Sequence, residues 1–296
     1  MKMKLLSGGL LLVVLGLSWI ACTSNPFFDD DEIRSAQLSG RLRLEGSDLP
    51  DSALVWLEGL NVYDYTDAAG DFALLLPAPE TQGVGGGANG TYNLFFYVGN
   101  YYIQTLPIQL VEGRVKTNQK LVRDNGKLRQ TIQLTKCLAI TTTIEPETLT
   151  TTSGGTVRIS LNLHAMQDSV TYWSLIWNEP IGATTRLHHA GQYLKACPPG
   201  DSRAQFFYNQ QCFPYISGVP GGDTKRLSEE LTIQPGQLSA GRYLVGHVFY
   251  VLDDAIPSNI SAFYGNLSQF SEDPQFIEKY LRQPLKQQTA LLTVLP

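Results

Sequence analysis

The sequence has few charged residues and no cluster of positive ones. Only 17% of its 296 residues are Asp, Glu, Lys or Arg, and the formal net charge is -5. Because nucleic-acid affinity depends on clustered lysine and arginine, this composition predicts that the protein binds neither DNA nor RNA. A GxSxG elbow and an HExxH motif are also missing, and no nucleophile stands beside a recognisable base. We therefore expect no enzymatic activity and no cofactor.

Histidine is scarce, and its spacing does not favour a metal centre. The four histidines are His164, His188, His189 and His247. On a strand the adjacent pair would face opposite sides, and the other two fall in predicted strands with different neighbours. A zinc site, and with it a metal-dependent hydrolase, is therefore only a third alternative, and we predict no bound metal.

Long apolar runs are missing except near the N-terminus. Lys2 and Lys4 precede the run from Leu10 to Ile20, which leads into Ala21-Cys22. The run is too short to cross about 30 Å of hydrocarbon comfortably. Its order of basic, apolar and small residues is typical of a secretory signal, so we predict that residues 1–21 are a signal peptide.

A cysteine directly after a small residue, as in Ala21-Cys22, resembles the lipobox of bacterial lipoproteins. The resemblance implies cleavage before Cys22, acylation with fatty acids such as palmitate, and a lipid anchor in a membrane of the bacterial cell envelope. Thr23 follows where aspartate usually marks inner-membrane retention, which implies the outer membrane in a Gram-negative host. The alternative is an ordinary signal peptide followed by a coincidental cysteine. These residues do not specify the leaflet that holds the anchor.

Residues 22–37 are predicted to be a solvated tether between the membrane and the folded part. They include the acidic run from Asp29 to Glu32. A calcium site is the alternative interpretation, but these carboxylates are contiguous, whereas a calcium loop spaces them around a glycine. A charged, extended linker is the simpler expectation.

Residues 38–136 contain short apolar or alternating runs separated by turn signals such as Glu112-Gly113. This spacing predicts an antiparallel β-sandwich or a β-barrel. The order Ser39 to Leu42, Ala53 to Leu57 and Thr66 to Phe72 resembles the carboxypeptidase regulatory-like family. That family is a prealbumin-like sandwich, and the resemblance implies an accessory domain without catalytic residues. In the last motif, the glycine would adopt a positive φ and the phenylalanine would point into the core.

A second unit is predicted over residues 140–296. Its residues alternate from Val157 to Leu163 and from Leu227 to Ile233, which predicts strands with one buried face. The stretch from Pro235 to Val245 resembles the approach to the F strand of immunoglobulin-like sandwiches, where a tyrosine bonds back to the preceding corner. The resemblance gives that role to Tyr243.

Two insertions are predicted in this second sandwich, at residues 178–223 and 253–288. In the second insertion, Asp273 can cap a short helix with Pro274 at its first position. The expected fold is thus all-β. Two tandem β-sandwich domains follow a cleaved lipoprotein signal peptide, and the second domain carries loop insertions and one short helix.

Three cysteines follow Cys22, namely Cys137, Cys197 and Cys212. An exported protein meets oxidising conditions, in which disulfides persist. Cys197 and Cys212 bracket a loop of about 14 residues, and a bond between them would contribute roughly 3 kcal/mol. We predict this disulfide. Cys137 is then buried in the junction between the domains or pairs with one of the other two, and the sequence leaves both open.

The predicted disulfide loop is rich in aromatic residues. Candidate ligand-binding side chains are Phe206, Phe207, Tyr208, Phe213 and Tyr215. Aromatic rings on a closed loop offer a large contact area at low ordering cost. They predict a non-catalytic protein that binds a protein or a glycan, in adhesion or recognition. Alternatively the rings form a satellite core, and the protein is a structural spacer or an assembly subunit of an envelope complex.

The lipid anchor can be tested by mass spectrometry of the mature protein from native membranes. We expect an N-terminal Cys22 that carries acyl chains, because the lipobox places cleavage and thiol modification at the same residue. A Cys22→Ser variant should lose the acyl mass and leave the membrane fraction. An unmodified thiol at Cys22, or cleavage at another bond, would contradict the anchor.

Overall fold

The computed structural model describes residues 34–83, 86–117, 120–181, 184–189, 192–197, 205–207, 213–264 and 283–296. In these residues the regular structure is almost entirely β-strand, which confirms the predicted all-β class. The predicted signal peptide, Cys22 and the acidic run lie outside them. Within the same ranges, no helix has the length and apolar character needed to cross a bilayer.

The first unit is a sandwich of two sheets. Its described strands are β1 (Arg34–Ser35), β2 (Gln37–Leu44), β3 (Leu54–Leu57), β4 (Val62–Tyr65), β5 (Asp71–Leu75), β6 (Gly90–Tyr97), β7 (Gln104–Val111), β8 (Arg114–Lys116) and β9 (Ile132–Leu134). Six of them form one sheet in the order β1-β8-β7-β6-β3-β4, and the other three form a sheet in the order β5-β2-β9. A short 3₁₀ turn at Pro79–Thr81 lies between β5 and β6.

The two sheets of the first unit enclose an apolar core. Leu38 and Leu42 of β2 pack in one buried cluster with Val55 of β3 and Phe96 of β6. Successive side chains of a strand point to opposite faces, and β2 accordingly buries every second residue. The alternation in the sequence therefore predicted this strand and its inner face correctly.

The motif from Thr66 to Phe72 shapes the corner where the chain passes from the six-stranded sheet to the three-stranded one. The Asp67 Oδ1 accepts two backbone hydrogen bonds within the turn, both of 2.9 Å. Gly70 has a φ of +80°, and a Cβ there would lie 2.2 Å from the carbonyl oxygen of Leu42. Phe72 then returns to the core. The expected roles of the glycine and the phenylalanine are both confirmed.

The described residues of the second unit form three sheets. Its described elements are β10 (Leu138–Glu145), β11 (Thr148–Thr150), β12 (Gly155–Ala165), β13 (Val170–Ile181), β14 (Thr184–His189), β15 (Gln192–Cys197), β16 (Gln205–Phe207), β17 (Phe213–Val219), β18 (Thr224–Ile233), β19 (Gly241–His247), β20 (Tyr250–Leu252), α1 (Ser258–Tyr264) and β21 (Ala290–Leu295). One sheet has the order β10-β12-β18 and a second has the order β11-β21-β19-β15-β16. The third has the order β14-β13-β17, with β20 also paired to β13.

One face of the sheet β10-β12-β18 packs against both of the other sheets. Val157 and Ile159 of β12 join the core shared with the five-stranded sheet. Further along the same face, Leu161 and Leu163 join the core shared with the β13 sheet. The predicted alternation of this strand is thus confirmed. The buried Tyr243 donates its hydroxyl hydrogen to the carbonyl oxygen of Ser239 at 2.8 Å, which is the corner bond expected for it.

Segment 178–223 supplies the end of β13 and strands β14 to β17. β15 pairs with β19 inside the five-stranded sheet, and its Leu194 and Ala196 are buried. This part of the segment therefore belongs to the sandwich itself. The helix predicted after Asp273 lies outside the described residues, whereas α1 begins earlier in segment 253–288.

The outer face of the six-stranded sheet packs against the outer face of the β13 sheet, so the two units share buried side chains. We name this cluster the junction core. Its described members are Leu54, Trp56, Phe95, Tyr97, Trp173, Leu175, Val248, Tyr250, Ile260 and Tyr264. The rings of Tyr97 and Tyr264 stack with centroids 5.8 Å apart. An extensive apolar contact opposes relative motion of the two units.

A fully buried asparagine ties the two units together by hydrogen bonds. The Asn100 Nδ2 donates to the carbonyl oxygens of Leu138 and Lys286 at 2.8 and 2.7 Å. Its Oδ1 accepts from the Lys286 backbone amide at 2.9 Å. The Lys286 ammonium in turn pairs with Asp51 of the first unit at 2.8 Å. Removal of the Asn100 side chain would leave several buried backbone groups without partners.

Two substitutions at this junction should differ in their effect on the free energy of unfolding. Asn100→Ala should lower it by about 2–4 kcal/mol, because buried groups of Leu138 and Lys286 lose their partners. Tyr97→Phe should be neutral or raise it by about 1 kcal/mol, since the buried Tyr97 hydroxyl has no hydrogen-bond partner within the described ranges. Urea unfolding followed by tryptophan fluorescence measures both. If Tyr97→Phe lowered the free energy of unfolding as much as Asn100→Ala does, this account would be wrong.

Candidate recognition site

The predicted aromatic loop is divided between two sheets. The backbones of Phe206 and Phe207 lie in β16, which pairs with β15, whereas those of Phe213 and Tyr215 lie in β17, which pairs with β13. Tyr208 lies outside the described residues. Of the five candidate side chains, only that of Tyr215 is described, and this residue is 41% exposed. Ligand binding by the loop therefore stays a prediction.

Two of the three remaining cysteines lie in the described residues, namely Cys137 and the half-buried Cys197 at the end of β15. Cys137 is buried where the units meet, and its backbone amide donates to the carbonyl oxygen of Asn100 at 3.1 Å. This is one of the two positions that the sequence left open. Burial raises the pKa of its thiol to about 12, so the thiol is neutral at physiological pH. No disulfide joins two described residues, and Cys212 lies outside them, so the bond between Cys197 and Cys212 stays a prediction.

The histidines do not converge in the part of the chain that the structure describes. His164 lies in β12, with its Nδ1 3.1 Å from the Thr224 Oγ1, and His247 is buried in β19 on a different sheet. His188 and His189 follow each other in β14, and their side chains are outside the described ones. Among the described residues, no three His, Cys, Asp or Glu side chains form a group that could hold a metal ion.

Five aromatic rings gather where the edge strand β4 meets helix α1. We name them the outer aromatic cluster: Trp56, Tyr63, Tyr65, Phe263 and Tyr264. Tyr63 stacks on Trp56 with ring centroids 5.5 Å apart and an interplanar angle of 22°. Phe263 contacts both of these rings edge-on, at 5.2 and 5.3 Å. The hydroxyl oxygens of Tyr65 and Tyr264 are 3.0 Å apart, which links the strand to the helix.

The outer aromatic cluster presents two of its rings to solvent. Tyr63 is 45% exposed and Tyr65 is 39% exposed, whereas Trp56 is only 3% exposed. The stack on Trp56 covers one face of Tyr63, and the edge contacts hold the ring in place. Burial raises the pKa of the Tyr264 hydroxyl, so this group acts as a neutral hydrogen-bonding group. Fixed aromatic rings with polar tips suit the apolar face of a sugar or a protein side chain.

The sequence contained part of the signal for this cluster. Tyr63 and Tyr65 alternate with Asp64 in a predicted strand, and residues two apart on a strand share a face. Their exposure, however, depends on β4 being the edge of its sheet and on α1 packing beside it. Neither of these facts has a local signature.

A comparison with protein families and a comparison with curated proteins each found no match to this chain. The resemblances to carboxypeptidase regulatory-like and immunoglobulin-like domains therefore stay predictions. The β-sandwich architecture that both resemblances imply is observed.

The two stacked rings of the outer aromatic cluster should differ strongly in their contribution to stability. Tyr63→Ala should lower the free energy of unfolding by about 1 kcal/mol, because much of this ring is already in water. Trp56→Ala should lower it by about 3–5 kcal/mol, because it opens a cavity in the junction core. Urea unfolding followed by circular dichroism compares them. Similar losses for both variants would show that Tyr63 is a structural residue.

Proposed function

We propose that this chain is a lipid-anchored protein of the bacterial cell envelope that binds a protein or a glycan and catalyses no reaction. The outer aromatic cluster is the observation that carries the proposal. The exposed Tyr63 stacks on the buried Trp56, and the exposed Tyr65 is hydrogen-bonded to the buried Tyr264, so both rings are oriented before a partner arrives. Aromatic anchors of this kind account for much of the binding energy at recognition surfaces.

The position of the cluster relative to the predicted tether supports its use as a binding surface. The described chain enters the six-stranded sheet at β1, on one edge, and Tyr63 and Tyr65 lie on β4, at the opposite edge. Five strand spacings separate these edges, which corresponds to roughly 24 Å. With the residues between an acylated Cys22 and β1 as a tether, the cluster would stand away from the membrane surface.

A structural spacer or an assembly subunit of an envelope complex is the second candidate function. The junction core favours it, because a buried aromatic contact makes the two sandwiches a stiff pair. A spacer needs this stiffness but does not need the exposed rings. Substitution of the exposed rings therefore separates the two candidates.

The test compares binding by the full-length lipoprotein in nanodiscs with binding by a variant that carries Tyr63→Ala and Tyr65→Ala. A glycan array and cross-linking in cells with mass spectrometry identify what the wild type binds. We expect the double variant to lose about tenfold or more in affinity, because the aromatic contact area is removed. The matched control carries Leu49→Ala and Leu75→Ala, two exposed apolar residues elsewhere, and should bind like the wild type.

A third variant, with Phe207→Ala and Tyr208→Ala, tests the predicted loop in the same assay. Loss of binding in this variant alone would move recognition from the outer aromatic cluster to the loop. Retention of every glycan and every cross-linked partner by all three variants would contradict recognition through aromatic surfaces and favour the spacer.

A further inference from the structure

A cleft of about 650 Å³ lies between the two units. Tyr102 and Ile103, which connect β6 to β7, form one side. The other side is formed by Ser169 to Thr171 at the start of β13 and by Val251 to Ala255 at β20 and the following turn, and Cys137 also lines the cleft. Small-molecule sites typically have volumes of about 300–1,000 Å³ and occur preferentially between domains. The cleft meets both criteria.

The mouth of the cleft is acidic. Asp253 and Asp254 line it, and no lysine, arginine or histidine appears among its described lining residues. The Asp253 Oδ1 accepts the Ala255 backbone amide at 2.9 Å, which fixes this carboxylate. Asp254, Ala255 and Thr171 are exposed, so this acidic end faces water. Carboxylates gathered at the mouth of a cleft create a local potential that attracts cations.

The inner end of the cleft is buried and apolar. Val170 and Val251 are buried there, and Ile103 is half-buried. Cys137 lines the same region and is only 3% exposed, with its thiol in no disulfide. A neutral thiol behaves as a small apolar group with a weak donor. A charged group would lose its hydration at this end without gaining a partner.

We propose that this cleft binds a compact organic cation, with its ammonium group beside Asp253 and Asp254 and its apolar body against Val170, Val251 and Cys137. The acidic mouth alone would attract any cation. The apolar inner end restricts the ligand to an amine on a hydrophobic body, because a hydrated metal ion gains nothing from these side chains. This site is separate from the outer aromatic cluster and does not depend on the function proposed for it.

The first test uses three probes with the same aromatic body and different charge. These are 2-phenylethylamine, 2-phenylethanol and phenylacetate, each titrated by calorimetry into the full-length protein in nanodiscs. We expect the amine to bind at least about fivefold more tightly than the alcohol, because only the amine pairs with the carboxylates. The acid should not bind. A rise in salt concentration from about 0.05 to about 0.5 M should weaken the binding of the amine, because the mouth of the cleft is open to solvent and its charges are screened.

Two variants locate the binding of the amine. The first carries Asp253→Asn and Asp254→Asn, which keeps the oxygen that accepts the Ala255 amide and removes the charge. Its affinity for the amine should fall at least about fivefold, and its affinity for the alcohol should stay the same. The second is Thr171→Trp, a substitution at an exposed strand position that tolerates aromatics. It should fill the cleft and abolish binding of both probes. The matched control is Asp124→Asn, at an exposed position of the first unit. It should bind both probes with the affinity of the wild type.

Three results would overturn the proposal. The first is equal affinity for the amine and the alcohol, and the second is an unchanged amine affinity in the Asp253→Asn and Asp254→Asn variant. The third is the absence of binding heat from the amine at about 10 mM, a concentration at which even a weak fragment is detected. The variant with Tyr63→Ala and Tyr65→Ala should bind the amine like the wild type. Failure of this proposal and failure of the recognition function are therefore distinguishable.

Discussion

The junction core is the contact on which the rest of the structure depends. Without it, the six-stranded sheet would expose Leu54, Trp56, Phe95 and Tyr97 on one face. An apolar area of this kind is uncommon on a soluble domain, because it promotes association. The β13 sheet and α1 cover it, and Asn100 satisfies the backbone groups beside the contact. The two sandwiches are therefore tandem in sequence but share one of their cores.

Both candidate sites are consequences of this junction. The outer aromatic cluster forms because α1 brings Phe263 against Trp56 and Tyr63. The cleft forms because the residues that connect β6 to β7 lie opposite β13 and β20. A ligand in the cleft would contact both units at once. Binding would therefore stabilise their association as well as the fold of each, since a ligand stabilises the state that contains its site.

Local patterns predicted the class of the fold and many of its strands. The alternation in β2 and β12 and the turn glycine at Gly70 depend on neighbours in sequence, so they were visible there. Tyr243 was found through the corner that its resemblance implied. β15 was placed in an insertion because its pairing with β19 joins residues distant in sequence. Contacts between residues distant in sequence also explain why α1 was not predicted. Its Ile260 and Tyr264 are buried by the first unit and by β13 and β20.

The candidate site was less predictable than the fold because exposure is a property of the assembled molecule. Aromatic density pointed to the loop around Phe207, but density in sequence does not specify which rings face water. Trp56 and Tyr63 are cross-strand partners on one sheet face, yet Trp56 is buried and Tyr63 is exposed. The difference lies in where the second unit stops covering that face. The hydroxyl groups of Tyr65 and Tyr264 are in contact although the two residues are 199 positions apart in the sequence. The boundary of the junction, and with it the exposure of the outer aromatic cluster, is therefore set by tertiary packing alone.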